Sequence, residues 1–201
     1  MLGTGFFIAD GRHVATAFHL TADDPTASPA PAQLAIFVGT GQQAEVRMAR
    51  RVRQDRRHDL AILRIDGKPQ PALKPAAGPP PPEGTAIAIM GYPIGNSLGL
   101  HPMTNAGIVA SVSPIALPQA DLESLTAERI RHLKAPFPVL ILDMIAYPGN
   151  SGSPVFERDG RVVGVVSGIY LRTTREGALS TPSAITYAVP SEHLVRLMEG
   201  L

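Results

Sequence analysis

Residues 69–82 read PQPALKPAAGPPPP, seven prolines in fourteen positions. Proline has no N–H to give to a helix or a sheet ladder, and its ring fixes φ, so no regular element can run through this stretch. It predicts a stiff, extended connector over 69–83 that divides the 201-residue chain into an N-terminal unit, 1–68, and a C-terminal unit, 84–201.

On either side the pattern is one of short apolar runs closed by turn residues. Segments 5–8, 13–17, 34–38, 44–46 and 59–65 read as strands, the first two joined by the Asp10-Gly11 turn. Beyond the connector the strands resume at 86–90, 107–112, 139–143, 161–166 and 184–189. Two segments depart from this rhythm. The stretch 122–133 has a loosely helical period and sits in a long connection, 113–138. The last stretch, 191–200, follows Pro190, opens on Ser191 as an N-cap and sets Leu194, Leu197, Met198 and Leu201 on one stripe. The expectation is an all-β chain, closed barrels or a sandwich, with a short C-terminal helix.

Composition narrows the function. A formal net charge of +1 and 17% charged residues leave no electrostatic footprint for nucleic acid. No apolar run is long enough to span a bilayer as a helix. The chain has no cysteine, which removes disulfides, thiolate metal sites and a cysteine nucleophile. The first ten residues show neither a basic n-region nor a cleavable apolar stretch, which reads as a cytoplasmic chain; trimming of a longer chain leaves a periplasmic or secreted location open. His13, His19, His58, His101, His132 and His193 form no HExxH, no phosphate loop is present, and no cofactor or metal is expected.

The candidate chemistry lies in three stretches. Tyr147–Phe156 reads YPGNSGSPVF, a turn in which Gly149 lets its own N–H and that of Ser151 point the same way. Thr16-Ala-Phe-His19 puts a histidine directly after a strand, and His58-Asp59-Leu-Ala puts an aspartate at the head of another. A serine nucleophile needs a base, an acid that orients the base, and N–H donors at the developing oxyanion. These stretches carry all three, with 40 residues from His19 to Asp59 and 92 from Asp59 to Ser151.

In that order the stretches resemble the trypsin-like serine peptidases, most closely the bacterial Deg/HtrA branch. Further matches run along nearly the whole chain: Gly3-Thr-Gly-Phe6, Asp10-Gly11, Asp59-Leu-Ala61, Gly91-Tyr-Pro-Ile-Gly95, Gly107-Ile-Val-Ala-Ser111, Asp143 and Tyr187-Ala-Val-Pro-Ser191. The resemblance implies two perpendicular Greek-key β-barrels, the first carrying His19 and Asp59 and the second Ser151. It implies an endopeptidase in which His19 is the general base, Asp59 fixes its tautomer and Ser151 attacks the scissile carbonyl. The N–H groups of Gly149 and Ser151 would form the oxyanion hole. Ser167 and Gly168 would pair with substrate backbone, while Ile145 and Ile185 would floor and wall an S1 pocket for small or medium aliphatic residues. The alternative is a catalytically silent module of the same fold that binds extended peptide.

Several positions carry narrower expectations. Asn150 stands where trypsin-type zymogens place an aspartate, so a freed N-terminus should not be the switch; ordering of 91–105 and 168–183 would serve instead. Phe18 replaces a small residue beside the histidine, which implies a reshaped wall there. Ser153 replaces a glycine. The strand that normally precedes Gly3-Thr-Gly-Phe6 is missing from this sequence, so a partner chain or oligomer could supply it. Asp10 reads as a turn residue, His58 as a surface residue, and His101 and Asp143 as structural.

Overall fold

The computed structural model describes residues 3–21, 34–93, 99–115, 136–169 and 185–201. The first unit contains β1 (Gly5–Ile8), β2 (His13–Ala17), β3 (Leu34–Val38), β4 (Glu45–Asp55) and β5 (Leu60–Ile65). These strands pair antiparallel in the order β1-β2-β5-β4-β3, an open half-barrel. The second unit contains β6 (Ala86–Gly91), β7 (Met103–Ile115), β8 (Phe137–Asp143), β9 (Pro154–Phe156), β10 (Val162–Ile169) and β11 (Ile185–Pro190). These close into a six-stranded barrel, β10-β11-β8-β7-β6-β9, followed by helix α1 (Ser191–Met198). The all-β expectation with a terminal helix holds. The amphipathic stretch 122–133 lies outside the described residues.

Two strands escape the sequence pattern. β4 runs 11 residues where apolar character marks only 44–46. Arg47, Arg50, Arg51 and Arg53 dominate its length, and a register shift between Arg51 and Arg53 breaks the alternation that would reveal a strand. β9 is only three residues long and opens on Pro154, a position where a strand tolerates the missing N–H.

The units share one seam of core. Phe6, Ile8, Ala15, Leu60 and Ile62 of the half-barrel pack with Val139, Val165 and Val189 of the barrel and with Leu194 of α1. Leu60, Ile62 and Leu194 are fully buried there, and truncating any of them to alanine costs about 2–5 kcal/mol.

The connector is less free than its prolines suggest. Its non-proline residues donate where the prolines cannot: Gln70 N–H to the Gly11 carbonyl at 2.9 Å, Leu73 N–H to Phe7 at 2.8 Å and Ala76 N–H to Val162 at 2.7 Å. Pro75 lies opposite Val162 in a parallel bridge, so the segment is stitched first to the half-barrel and then to β10. Ser191 departs from its expected part as well. Its hydroxyl donates to the Ala76 carbonyl at 2.8 Å and makes no cap, so it ties α1 to the connector.

His58 is not a surface residue. Its side chain is 14% exposed and its ring stacks on that of His193, centroids 3.8 Å apart at 17°. Phe137 meets both rings edge-on. His58 Nδ1 lies 2.6 Å from Asp55 Oδ2 and its N–H donates to Asp55 Oδ1. Burial works to raise the Asp55 carboxyl, yet these hydrogen bonds hold it below the ordinary carboxylate value.

For His193, burial and then the neighbouring His58 push the imidazole down to about 4, against the pull of Glu192 at 4.0 Å, and its Nε2 makes no hydrogen bond among the described residues. The unfolded chain takes up a proton near 6.5, so the folded state loses stability as pH falls from there towards about 4 and keeps it above. Denaturant midpoints measured across this window should fall more steeply for the wild type than for His193→Phe. Equal slopes would remove His193 as the cause.

Candidate active site

His19 stands on a single 3-10 turn, Phe18–Leu20, directly after β2. Asp59 ends the turn between β4 and β5 with φ at +50°, a left-handed conformation that a non-glycine residue adopts at a cost of about 1–2 kcal/mol. The backbone joins the two turns, Phe18 N–H donating to the Asp59 carbonyl at 2.9 Å. The Asp59 carboxylate then takes His19 at two points. Oδ1 accepts the His19 backbone N–H at 2.8 Å, and Oδ2 lies 2.7 Å from Nδ1.

An ionised carboxylate can only accept, so Nδ1 donates, and in the neutral ring Nε2 keeps its lone pair. Asp59 is largely enclosed while the His19 side chain is 39% exposed, so the acid is fixed inside and the base faces open space. A third bond reaches Asp59 from the other unit, where the Ser167 hydroxyl donates to Oδ2. Ser167 is the residue skipped in the β10–β11 register between Val166 and Gly168. A bulge re-aims its side chain, and no residue there marks one in advance.

The turn around Ser151 is built by short-range bonds. Asn150 N–H donates to Tyr147 at 3.0 Å and Ser153 N–H to Asn150 at 2.9 Å. Gly152 N–H and Ser153 C=O both bond Val166, which hangs the turn from β10. Gly149 has φ at +103°, open to glycine. Its carbonyl accepts the Thr4 hydroxyl at 2.7 Å, and among the described residues the N–H groups of Gly149 and Ser151 have no partner. Two adjacent free donors in a turn are what an oxyanion needs.

Thr4 holds this turn against the half-barrel. Its N–H donates to the Ser151 carbonyl at 2.8 Å, and its hydroxyl also accepts the Tyr92 N–H at 2.9 Å. Thr16 Oγ1 in turn donates to the Thr4 carbonyl at 2.7 Å. The Ser151 hydroxyl makes no hydrogen bond among the described residues, so the structure unites His19, Asp59 and Ser167 but leaves the Ser151–His19 link unformed. Such bonds often tighten only with substrate.

Asn150 and Ser153 are fully buried, and Asn150 Oδ1, Asn150 Nδ2 and Ser153 Oγ lack partners. Ile145 and Ile185 are 41% and 42% exposed, on the barrel face where Ile185 pairs with Asp143. Gly168 is half-buried on β10. Residues 94–98 and 170–183 of the two segments expected to order on activation lie outside the described residues.

Phe18, at the start of the turn that carries His19, is half-buried. Guanidinium carbons of Arg51 and Arg56 stand over its ring at 5.4 and 5.3 Å.

Comparison with known proteins gives the family. The family model for the trypsin-like peptidase domain matches residues 3–165. The chain belongs to the trypsin-like peptidase family.

Among curated proteins, a probable periplasmic serine endoprotease DegP-like of Pseudomonas fluorescens Pf-5 is 31% identical over 189 residues. That match takes in 94% of this peptidase-family chain and 32% of the relative. The protein of the same name from Ectopseudomonas mendocina is 28% identical over 200 residues, 100% of this chain and 35% of its own. The chain thus spans about a third of the length of the curated relatives it matches.

Solved structures carry the fold. The HtrA-type protease AlgW with decapeptide has a TM-score of 0.69 at 21% identity, covering 98% of this chain and 50% of AlgW. The active form of the Rv3671c protease from M. tuberculosis has a TM-score of 0.71 at 21% identity, covering 98% and 71%.

The expected cytoplasmic location is overturned, because these curated relatives are named as periplasmic endoproteases. Compartment is written in leader segments, and the first residues of a chain that matches a third of its relatives cannot report it.

The closeness of Thr4 to the nucleophile turn has a measurable consequence. A Cβ at Gly152 would lie 2.0 Å from the Thr4 carbonyl oxygen and 2.5 Å from Thr16 Oγ1, at a φ of +84°. Overpacking of this kind costs about 1–3 kcal/mol, with about 1–2 kcal/mol more for the left-handed backbone. Gly152→Ala should lower the unfolding free energy by roughly that sum in denaturant titration, and a fully stable variant would mean that the seam yields freely.

Proposed function

We propose that this domain is a serine endopeptidase acting through an acyl-enzyme on polypeptide substrates. The observation that carries the reading is the two-point hold of Asp59 on His19, which leaves Nε2 as the one free basic nitrogen of the ring. In this reading His19 takes the Ser151 proton as the hydroxyl attacks the scissile carbonyl, then returns it to the leaving amine. Asp59 keeps the imidazole in its tautomer and balances the imidazolium, with Ser167 steadying the carboxylate. The unpartnered N–H groups of Gly149 and Ser151 receive the oxyanion, and the Thr4–Gly149 bond supports that role by holding the carbonyl away from it.

Peptide substrate fits the relatives' name of endoprotease and the decapeptide of the AlgW structure. Ser167 and Gly168 would offer a strand edge to the substrate backbone. Ile145 and Ile185, both exposed, would supply an apolar S1 surface, and neither side chain can pair with a basic residue. An unpaired cation buried there costs several kcal/mol, so small or medium aliphatic P1 residues are preferred. The buried amide of Asn150 carries no charge to pair with an N-terminal ammonium, so proteins with different N-terminal extensions should have equal activity.

An aryl fluorophosphonate should modify Ser151, and Ser151→Ala should abolish the labelling. A folded protein that stays unlabelled even with peptide added would point to the silent peptide-binding module. Peptide libraries should show cleavage after Ala, Val or similar residues. A dominant Arg or Lys preference at P1 would sink the S1 assignment while leaving the mechanism intact.

A further inference from the structure

A lone 3-10 turn is a weak platform for a catalytic base. The turn Phe18–Leu20 closes only through Thr21, whose N–H and hydroxyl both donate to the Phe18 carbonyl, at 2.8 and 2.9 Å. Its first residue has no side-chain cap. A single turn fixes several dihedral angles for one or two bonds, so its geometry has to be imposed from outside.

Two external holds come from Asp59, Phe18 N–H on its carbonyl and His19 N–H on its Oδ1. The Arg51 guanidinium supplies a third by donating to the Thr21 carbonyl and lying within reach of its hydroxyl. The fourth is the ring of Phe18. It sits under the guanidinium of Arg51, which belongs to β4, and under that of Arg56, which belongs to the turn ending in Asp59. Both distances lie inside the range of about 6 Å over which an aromatic quadrupole attracts a cation. The ring therefore joins the turn that carries the base to the turn that carries the acid. The charged groups that the structure shows meeting this turn are Asp59, Arg51 and Arg56.

The geometry points to Phe18 as a positioning residue for His19: its ring, held by Arg51 and Arg56, fixes the turn on which the imidazole stands. This rests on the reading of His19 as general base. Phe18 touches no substrate and donates no proton. It acts by limiting how far the imidazole can drift from its place against Asp59, and small displacements of a catalytic group are costly, on the order of 10²-fold for about 1 Å. Leucine matches the apolar bulk of phenylalanine but has no π face, whereas tyrosine keeps the face, so the two separate packing from cation attraction. Arg56→Met removes one cation without touching the turn's own residues.

The test compares wild type, Phe18→Leu, Phe18→Tyr and Arg56→Met in peptide hydrolysis and in the proton NMR signal of the His19 Nδ1–H. Phe18→Leu and Arg56→Met should lower kcat by about tenfold with KM within about twofold of wild type. In both, the Nδ1–H signal should broaden or move upfield as its bond to Asp59 loosens. Phe18→Tyr should keep kcat within about twofold and leave the signal in place. Wild-type kcat and an unchanged Nδ1–H signal in Phe18→Leu and Arg56→Met would overturn the assignment. So would equal losses in the leucine and tyrosine variants. If the wild type itself shows no Ser151-dependent labelling, the peptidase reading fails, and the NMR comparison still decides whether Phe18 holds the imidazole.

Discussion

Thr4 is the joint on which the candidate site depends. One residue bonds the turn of Ser151 twice, through its N–H to Ser151 and its hydroxyl to Gly149, while accepting from Tyr92 after β6 and from Thr16 on β2. Every polar atom of the residue is spent, and it is buried. Ser151 lies on one side of the seam and His19 on the other, so their separation is set by how the two units meet. A hydrogen-bonded joint with four fixed directions resists sliding in a way that apolar packing alone does not, because dispersion and burial are largely non-directional.

Asp59 carries the second crossing. It gives its backbone carbonyl to Phe18 and its carboxylate to the N–H and ring of His19, and it receives Ser167 from β10. A partly buried carboxylate is stable only when its lone pairs are used, and here three donors use them. The seam is braced again by the connector along β1 and β10, by Ser191 on Ala76, and by the His58–His193 stack joining the turn before Asp59 to α1. A proline-rich segment and a terminal helix thus serve the same end as Asp59, fixing one unit against the other.

Much of the fold was legible in sequence because most strands carry apolar runs bounded by turn residues. β1, β2, β3 and the helix start appear within a residue of their expected places. β4 did not, because its arginines conceal a strand whose partly buried face is completed by other parts of the chain, and a bulge scrambles the alternation. The site was legible differently. His19 and Asp59 stand 40 residues apart in sequence, and only the linear order of three motifs suggested that they meet. The bonds of Ser167, Thr4 and Phe18 to this site left no trace that a single chain could show. A serine, a threonine and a phenylalanine are ordinary residues, and their parts here come from what lies across the seam.

The sequence by itself determined most of the element types, the stiffness of the proline-rich connector and the residue chemistry available for acyl transfer. These are local properties: proline excludes ladder bonds wherever it falls, and the turn at Gly149 depends on glycine's missing Cβ. The tertiary structure alone decided which side chains share a site. It buried His58 against His193, turned Ser191 from a cap into a tether, and set two guanidinium groups over Phe18. Those outcomes depend on contacts between residues far apart in the chain, whose free energy exists only once the two units are docked.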